Sequence, residues 1–183
     1  MNPLYILFLK FSNLPAIIKG AHFGKNSYIS PGYDFFKISL KGLIVGNNVL
    51  IGRNAWITIL KPNVKIKIGS GTNIGRRSTI SAAKNISIGK KCLLSYNVSL
   101  HDRDHLVTDP KISPMDNHFT EAKPINIGDN CFIGANSFIV KGVTLGKHCV
   151  VTSNSVVIKS FPDYSLIGGN PAVLIKNFKP SKK

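Results

Sequence analysis

The chain has 183 residues, 43% of them hydrophobic and 17% charged, a length and balance that fit one folded domain with a real core and exclude a disordered chain. Its 24 Lys and Arg against 8 Asp and Glu leave a net charge of +16, which calls for a partner that is anionic at least in part, such as a phosphorylated cofactor, a phosphate-linked substrate or a membrane surface. The basic residues stand singly or in pairs with no aromatic-interleaved motif, so nucleic acid is not the expected partner, and no run of about 18 uninterrupted apolar residues is present to span a membrane.

The first segment, "MNPLYILFLKFSNLPAIIKG", is apolar, punctuated by Lys10 and Lys19 and interrupted by Pro15. Residues 1–22 are expected to form a short helical cap on one end of the domain; the alternative is a helix lying on a membrane surface. No basic region precedes the apolar run and no small-residue cleavage site follows it, so it does not read as a signal peptide. Three cysteines, an odd number, fit a reducing compartment better than a secreted disulfide framework. A cytoplasmic location is expected, at the inner face of the membrane if the first segment binds there.

From Val45 the chain falls into blocks of six, each headed by an aliphatic residue and usually followed by a small one: "VGNNVL", "IGRNAW", then after a slip "IGSGTN", "IGRRST", "ISAAKN", then "IGKKCL", "LSYNVS", "LHDRDH". From Ile127 the rhythm runs unbroken as "IGDNCF", "IGANSF", "IVKGVT", "LGKHCV", "VTSNSV", "VIKSFP", and fainter copies begin at Phe23. A period of six is neither the 3.6 of a helix nor the 2 of a strand. It describes a short extended segment, a bend and another short segment, with the first residue of each block turned inward. Three blocks make one triangular coil of about eighteen residues, and coils stack to bury an aliphatic column. The fifth position fits inside a corner and is compact: Val49, Ala55, Thr72, Ser78, Val98, Ser137, Val143 and Ser155, with Cys92, Cys131 and Cys149 in the same place. The thiols are therefore expected to be buried core groups rather than nucleophiles or ligands.

This pattern resembles the hexapeptide-repeat acyltransferases over roughly residues 23–175. The resemblance implies an all-β fold, a left-handed parallel β-helix over residues 23–162, with an extruded loop at about 101–124 and a C-terminal tail over 163–183. The same coil also serves carbonic-anhydrase-like metalloenzymes and non-catalytic structural subunits, so function must be argued from the site.

The rhythm breaks between Leu100 and Ile127, which are 27 residues apart, one block plus an insertion of 21. Five of the eight acids (Asp102, Asp104, Asp109, Asp116, Glu121) and three of the five histidines (His101, His105, His118) lie in this break. Asp109, Asp116 and His118 read as solvated loop. A metal site would use His101, Asp102, Asp104 and His105, but the carbonic-anhydrase arrangement needs a further histidine a coil earlier, and none stands between His22 and His101. No metal is expected.

The stretch "SLHDRDH" resembles the Ser-His-Asp stretch at the base of such a loop in sugar and xenobiotic acetyltransferases, which implies His101 as general base, with His105 as the second candidate and as an acceptor contact. A sugar hydroxyl is a poor nucleophile at pH 7, and an imidazole can take its proton as it attacks a thioester. Asp102, Asp104 and Glu121 are the carboxylates available to orient that imidazole; Glu121 draws on the resemblance of "EAKPINIG" to the family's glutamate before the re-entrant proline. The run from Ile133 to Phe178, with its "GGNPAVLIK" ending, resembles the family's coenzyme A-binding end. It implies acetyl-coenzyme A as co-substrate, backbone contacts at Gly134, Ala135 and Asn136, close passage at Thr152 and Ser153, and phosphate contacts at Lys159 and Lys176. Ile158 and Val173 depart from relatives that carry Thr and Arg there, which brings in Lys141, Lys147 or the Lys-rich tail as alternative phosphate contacts.

One coil before His101, where relatives carry an acceptor-binding Asn or Asp, this chain is expected to present Arg76 and Arg77. An arginine pair suits an acidic, nucleotide-linked or lipid-pyrophosphate-linked sugar. The expectation is an acetyl-coenzyme A-dependent O-acetyltransferase of surface-polysaccharide biosynthesis. Rival acceptors are serine, an antibiotic or an amino-sugar nitrogen, and the rival outside enzymology is a structural coil. The resemblance also implies a homotrimer, because the family's donor groove lies between subunits.

Overall fold

The computed structural model describes residues 3–30, 40–108, 110–116 and 119–178. Two helices, α1 (Pro3–Ser12) and α2 (Leu14–Ile18), precede a parallel β-helix of about six turns. From Leu43 to Val157 each turn contributes a strand to three faces in the order six-strand face, eight-strand face, five-strand face. The triangular coil expected from the six-residue period is thus present.

The register explains the aliphatic heads. Val45, Ile68, Ile88, Ile127 and Leu145 stack on the six-strand face. Ile51, Ile74, Leu94, Ile133 and Val151 stack on the eight-strand face. Ile57, Ile80, Leu100, Ile139 and Val157 stack on the five-strand face. All fifteen are buried in one core, so each full coil closes three side chains around the axis, each worth about 1.5–3 kcal/mol of transfer free energy. The fifth-position residues fill the corners, and the three thiols donate to carbonyls of the next coil: Cys92 to Gly128 at 3.1 Å, Cys131 to Gly146 at 3.0 Å and Cys149 to Pro162 at 3.1 Å.

A further periodicity, not singled out in the sequence, lies at the fourth position. Asn48, Asn54, Arg77, Lys91, Asn97, Asn130, Asn136, His148 and Asn154 all have positive φ, as do Gly71 and Gly142 in the equivalent blocks. The corner needs one left-handed residue, and asparagine tolerates that conformation better than most side chains. Along one corner the asparagines also join: Asn97 Nδ2 donates to Asn136 Oδ1 at 2.8 Å, and Asn136 Nδ2 to Asn154 Oδ1 at 3.1 Å.

The solenoid runs further than residue 162. Ser165–Gly169 continues the eight-strand face in parallel with Val150–Val151, pairing Leu166 with Val150 and Ile167 with Val151. Only Ala172–Asn177 turns back antiparallel and closes the end. The expected tail therefore begins as one more strand, because Ile167 supplies another buried aliphatic.

The insertion leaves the coil after Ser99–His101 and re-enters at Ile125–Ile127. Its root is clasped: the Lys123 N–H donates to the Asp102 carbonyl at 2.9 Å and the Thr120 N–H to the Asp104 carbonyl at 2.9 Å. His105 and Phe119 form an antiparallel bridge across it. Asp109 and His118 lie outside the described residues, and Asp116 is exposed at the end of a short 3-10 turn.

Candidate active site

His101 ends its strand at the corner where the five-strand face turns toward the six-strand face. With Ser81, Arg103, Asp104, His105 and Phe119 it lines a pocket of about 170 Å³. Phe138, from the next coil, meets the imidazole edge-on with centroids 5.0 Å apart. The ring's Nε2 is buried and has no hydrogen-bond partner among the described residues. Burial pushes the His101 imidazole below its ordinary value; Asp104 nearby pulls it partly back up, and Arg103 pushes it down again. The ring is therefore neutral at pH 7, the form in which it can accept a proton.

That shift has a sign. As the pH falls below about 6.5 the unfolded chain takes up a proton on this residue before the folded chain does, so folding is weakened until the folded pKa is passed. If His101 is the base, the acid limb of kcat/KM has its midpoint below about 6.5. A pH–rate profile checks this, and a midpoint above that value would mean a different titrating group.

The carboxylates do not orient His101 within one chain. Asp102 is fully buried, and both of its oxygens are taken up by the coil below, one by the Ala83 N–H and one by the Lys84 N–H, each at 2.7 Å. It is a clip at the loop root rather than the expected hydrogen-bond partner. The physical reason is that its strand has ended, so its side chain turns down onto two free N–H groups. Asp104 pairs with Lys141 at 3.2 Å, and Lys141 also bonds the Thr120 hydroxyl. Glu121 is exposed and takes no part in these contacts.

The arginine pair is also displaced from its expected place. The residue level with His101 one coil earlier is Ser81. Arg76 and Arg77 sit instead at the corner between the eight-strand and five-strand faces, where the Arg76 carbonyl accepts the Asn97 N–H at 2.8 Å. Ser81 is the second residue of "ISAAKN", as His101 is of "LHDRDH", whereas Arg76 and Arg77 are third and fourth in their block and so fall at another corner. Arg103 supplies the positive charge in the pocket beside Asp104, its guanidinium 3.7 Å from the centre of the Phe119 ring, and His105 packs on that ring with centroids 4.5 Å apart.

The expected donor residues divide between corners. Gly134, Ala135 and Asn136 lie on the same corner as Arg76 and Arg77, with Thr152 and Ser153 directly in the next coil: the Asn154 N–H donates to the Ala135 carbonyl at 2.8 Å and the Ser137 hydroxyl to the Thr152 carbonyl at 3.0 Å. Here the Gly134 N–H is spent on the Val151 carbonyl at 2.8 Å and the Asn136 N–H on the Tyr96 carbonyl at 3.2 Å, while the Ala135 N–H enters no such bond. Lys141 and Lys159 belong to the His101 corner, Lys147 to the third corner, and Lys176 to the closing strand opposite Leu166. Asn136 and Val140 are four positions apart, or about 13 Å of extended chain, so within one chain the residues expected to hold the donor do not surround His101. Among the described residues no three His, Cys, Asp or Glu side chains form a metal-holding group.

Comparison with known proteins meets the same boundaries. A family profile described as the hexapeptide repeat of succinyl-transferase matches residues 65–101 and 124–159, stopping and resuming at the edges of the extruded loop. WcaF of Escherichia coli K12, assigned as a colanic acid biosynthesis acetyltransferase, is 32% identical over 77% of this chain and 72% of its own. The galactoside O-acetyltransferase of the same organism is 31% identical over 73% of this chain and 66% of its own. The chain belongs to the hexapeptide-repeat acyltransferase family and is an acetyltransferase. Its fold is shared by AntD, an N-acyltransferase of Bacillus cereus solved with dTDP and coenzyme A, at a TM-score of 0.73 and 22% identity, covering 89% of this chain and 88% of that one.

Proposed function

We propose that the protein transfers an acetyl group from acetyl-coenzyme A to a hydroxyl of a sugar during surface-polysaccharide biosynthesis, with His101 as general base. The observation that carries this reading is the half-buried imidazole at the root of a loop-walled pocket, neutral at pH 7, whose Nε2 is buried and has no hydrogen-bond partner among the described residues. In the reaction, His101 takes the proton of the acceptor hydroxyl as its oxygen bonds to the thioester carbonyl. The tetrahedral oxyanion is met by a backbone N–H of the donor corner, for which Ala135 is the free candidate among the three. Collapse breaks the C–S bond, and the imidazolium returns its proton to the departing sulfur of coenzyme A.

An anionic acceptor is favoured by Arg103 in the pocket and by the basic corner at Arg76 and Arg77. Relatives support polysaccharide chemistry, through WcaF by its assignment to colanic acid, and O-transfer, through the galactoside enzyme by its name.

Assembly follows from the split site. A second chain that sets its Gly134 corner against the His101 corner of the first makes a head-to-tail contact that closes into a ring; the expected homotrimer is such a ring, with donor and base together. Leu50, Leu93 and Phe132, exposed along the eight-strand face beside the Gly134 corner, offer the apolar surface such a contact needs.

The test is an acceptor screen with acetyl-coenzyme A and thiol detection. Thiol release is expected with acidic, nucleotide-linked or lipid-linked glycans. If these stay unmodified while a neutral free sugar is acetylated, the anionic acceptor is wrong; if an amino-sugar nitrogen alone is acetylated, O-transfer is wrong.

A further inference from the structure

The N-terminal helices are built inside out. A helix on the surface of a soluble domain turns its apolar stripe to the core and its polar side to water. Here the polar residues grip the protein: the Asn13 side chain donates to the Ser27 carbonyl at 2.7 Å and accepts the Ile29 N–H at 2.9 Å, and the Ser12 hydroxyl bonds the Ile29 carbonyl. Ala16 is the small buried contact beside them. The opposite side presents Leu7, Phe11, Leu14 and Ile18 at the spacing of one helical stripe, 51%, 65%, 52% and 75% exposed, with Phe8 and Ile17 also exposed next to it. Among the described side chains the packing is made by Ser12, Asn13 and Ala16, so burial of this stripe in the domain is not what positions the helices.

The charge is unevenly divided along the sequence, with the excess in the part that begins with these helices. Residues 1–101 hold fourteen of the Lys and Arg and a single acid, Asp34, a net +13 out of +16. The donor and loop half is close to neutral. Lys19 and Lys41 border the end of α2, where the Leu40 N–H donates to the Lys19 carbonyl at 2.9 Å and Gly20 lies against Lys41. Lys41 and Lys61 flank a second pocket of about 370 Å³, lined also by Gly42, Ile59, Leu60 and Pro62. Neither pocket nor stripe belongs to the acetyl-transfer site.

From this juxtaposition we infer that the helical end of the β-helix docks on an anionic phospholipid bilayer, with Leu7, Phe11, Leu14 and Ile18 in the acyl boundary and the lysines around Lys41 and Lys61 on the headgroup phosphates. An apolar stripe rimmed by one sign of charge is the surface such a bilayer accepts. A second copy is a poor occupant, because a two-fold contact would set two strongly basic ends against each other. Nucleic acid would use the charge but has no place for six exposed apolar side chains. No described helix is long and apolar enough to cross the bilayer, so the contact is one of lying on it. The active corner is then presented at a membrane surface, where lipid-linked glycans are found.

Co-sedimentation of the full chain with vesicles tests this. The protein is expected to pellet with phosphatidylcholine vesicles containing about 30 mol% phosphatidylglycerol, to stay in solution with phosphatidylcholine alone, and to be released as salt is raised. Phe11→Glu with Ile18→Glu is expected to weaken vesicle binding about tenfold or more, and Lys41→Glu with Lys61→Glu to weaken it on the anionic vesicles, each with thermal melting and coenzyme A binding unchanged. Absence of wild-type binding to the anionic vesicles overturns the inference. So does equal binding by the Phe11/Ile18 variant, or a wild type that ignores vesicles while that variant sediments as a smaller assembly, which would make the stripe a protein interface. Because coenzyme A binding is read separately, a failure here leaves the acetyl-transfer reading intact.

Discussion

Replacing His101 with alanine is expected to lower acetyl transfer by about 10²- to 10⁴-fold, the range a positioned general base contributes, while coenzyme A binds with unchanged heat in calorimetry. The separation follows from the geometry. His101 stands at the corner between the five-strand and six-strand faces, whereas Gly134, Ala135, Asn136, Thr152 and Ser153 stand at the corner before it. Removing the imidazole leaves Asp102 clipped to Ala83 and Lys84, so the loop root is retained and the loss is chemical. Because the Nε2 of the half-buried ring has no hydrogen-bond partner among the described residues, truncation breaks no hydrogen bond at that nitrogen, and the melting temperature should stay within a few degrees of the parent's. Retained transfer would move the base to another residue, with His105 next in the same pocket.

The second large effect is expected at Gly134. A methyl group there would lie 2.4 Å from the Ser153 nitrogen and 2.7 Å from the Thr152 carbonyl carbon. Both are backbone atoms of the adjoining coil and cannot rotate away, so Gly134→Ala must push two coils apart on the donor corner. The Gly134 N–H bond to Val151 at 2.8 Å is strained by the same movement. A cost of about 1–3 kcal/mol is expected from overpacking of this kind. It should appear as a lower melting temperature, with weakened coenzyme A binding at temperatures where the variant is still folded. A variant as stable as the parent would show that the corner yields more easily than its close packing implies.

Much of the architecture was legible because a six-residue period leaves little choice. Fifteen aliphatic heads, from Val45 to Val157, stack in the register their spacing demands, and the thiols of Cys92, Cys131 and Cys149 fall in the buried corners with Thr72 and Ser78. The extruded loop was legible for the same reason, as the place where the spacing between Leu100 and Ile127 breaks. The left-handed fourth position was also present in the repeated Asn and Gly, and needed only the period to be read one residue at a time.

The site itself was less legible. His101, His105 and Asp104 do meet in one pocket, but Ser81, Arg103 and Phe119 join them through contacts that depend on which coil lies below and where the loop folds back. Asp102 is the clearest case. Adjacency in sequence to His101 says nothing about side-chain direction at the end of a strand, and the two N–H groups it caps lie 18 and 19 residues away. Arg76 and Arg77 stand at the third and fourth positions of their block and His101 at the second of its own, a difference that moves a side chain from one corner of the triangle to another. The membrane-facing stripe was visible only as an apolar segment; its direction depends on Asn13 and Ser12 holding the first coil.

Acetyl transfer from a donor corner on one chain to a base on the next is tested most directly by mixing two inactive variants. His101→Ala removes the base, and Ser153→Trp, at an exposed position, blocks the donor corner. Neither alone should release coenzyme A thiol in the presence of acceptor. Co-expressed, they can place an intact His101 corner against an intact Gly134 corner, and activity is predicted to return in the mixed assembly. If mixed assemblies form and remain inactive, base and donor act within a single chain, and the composite site is contradicted.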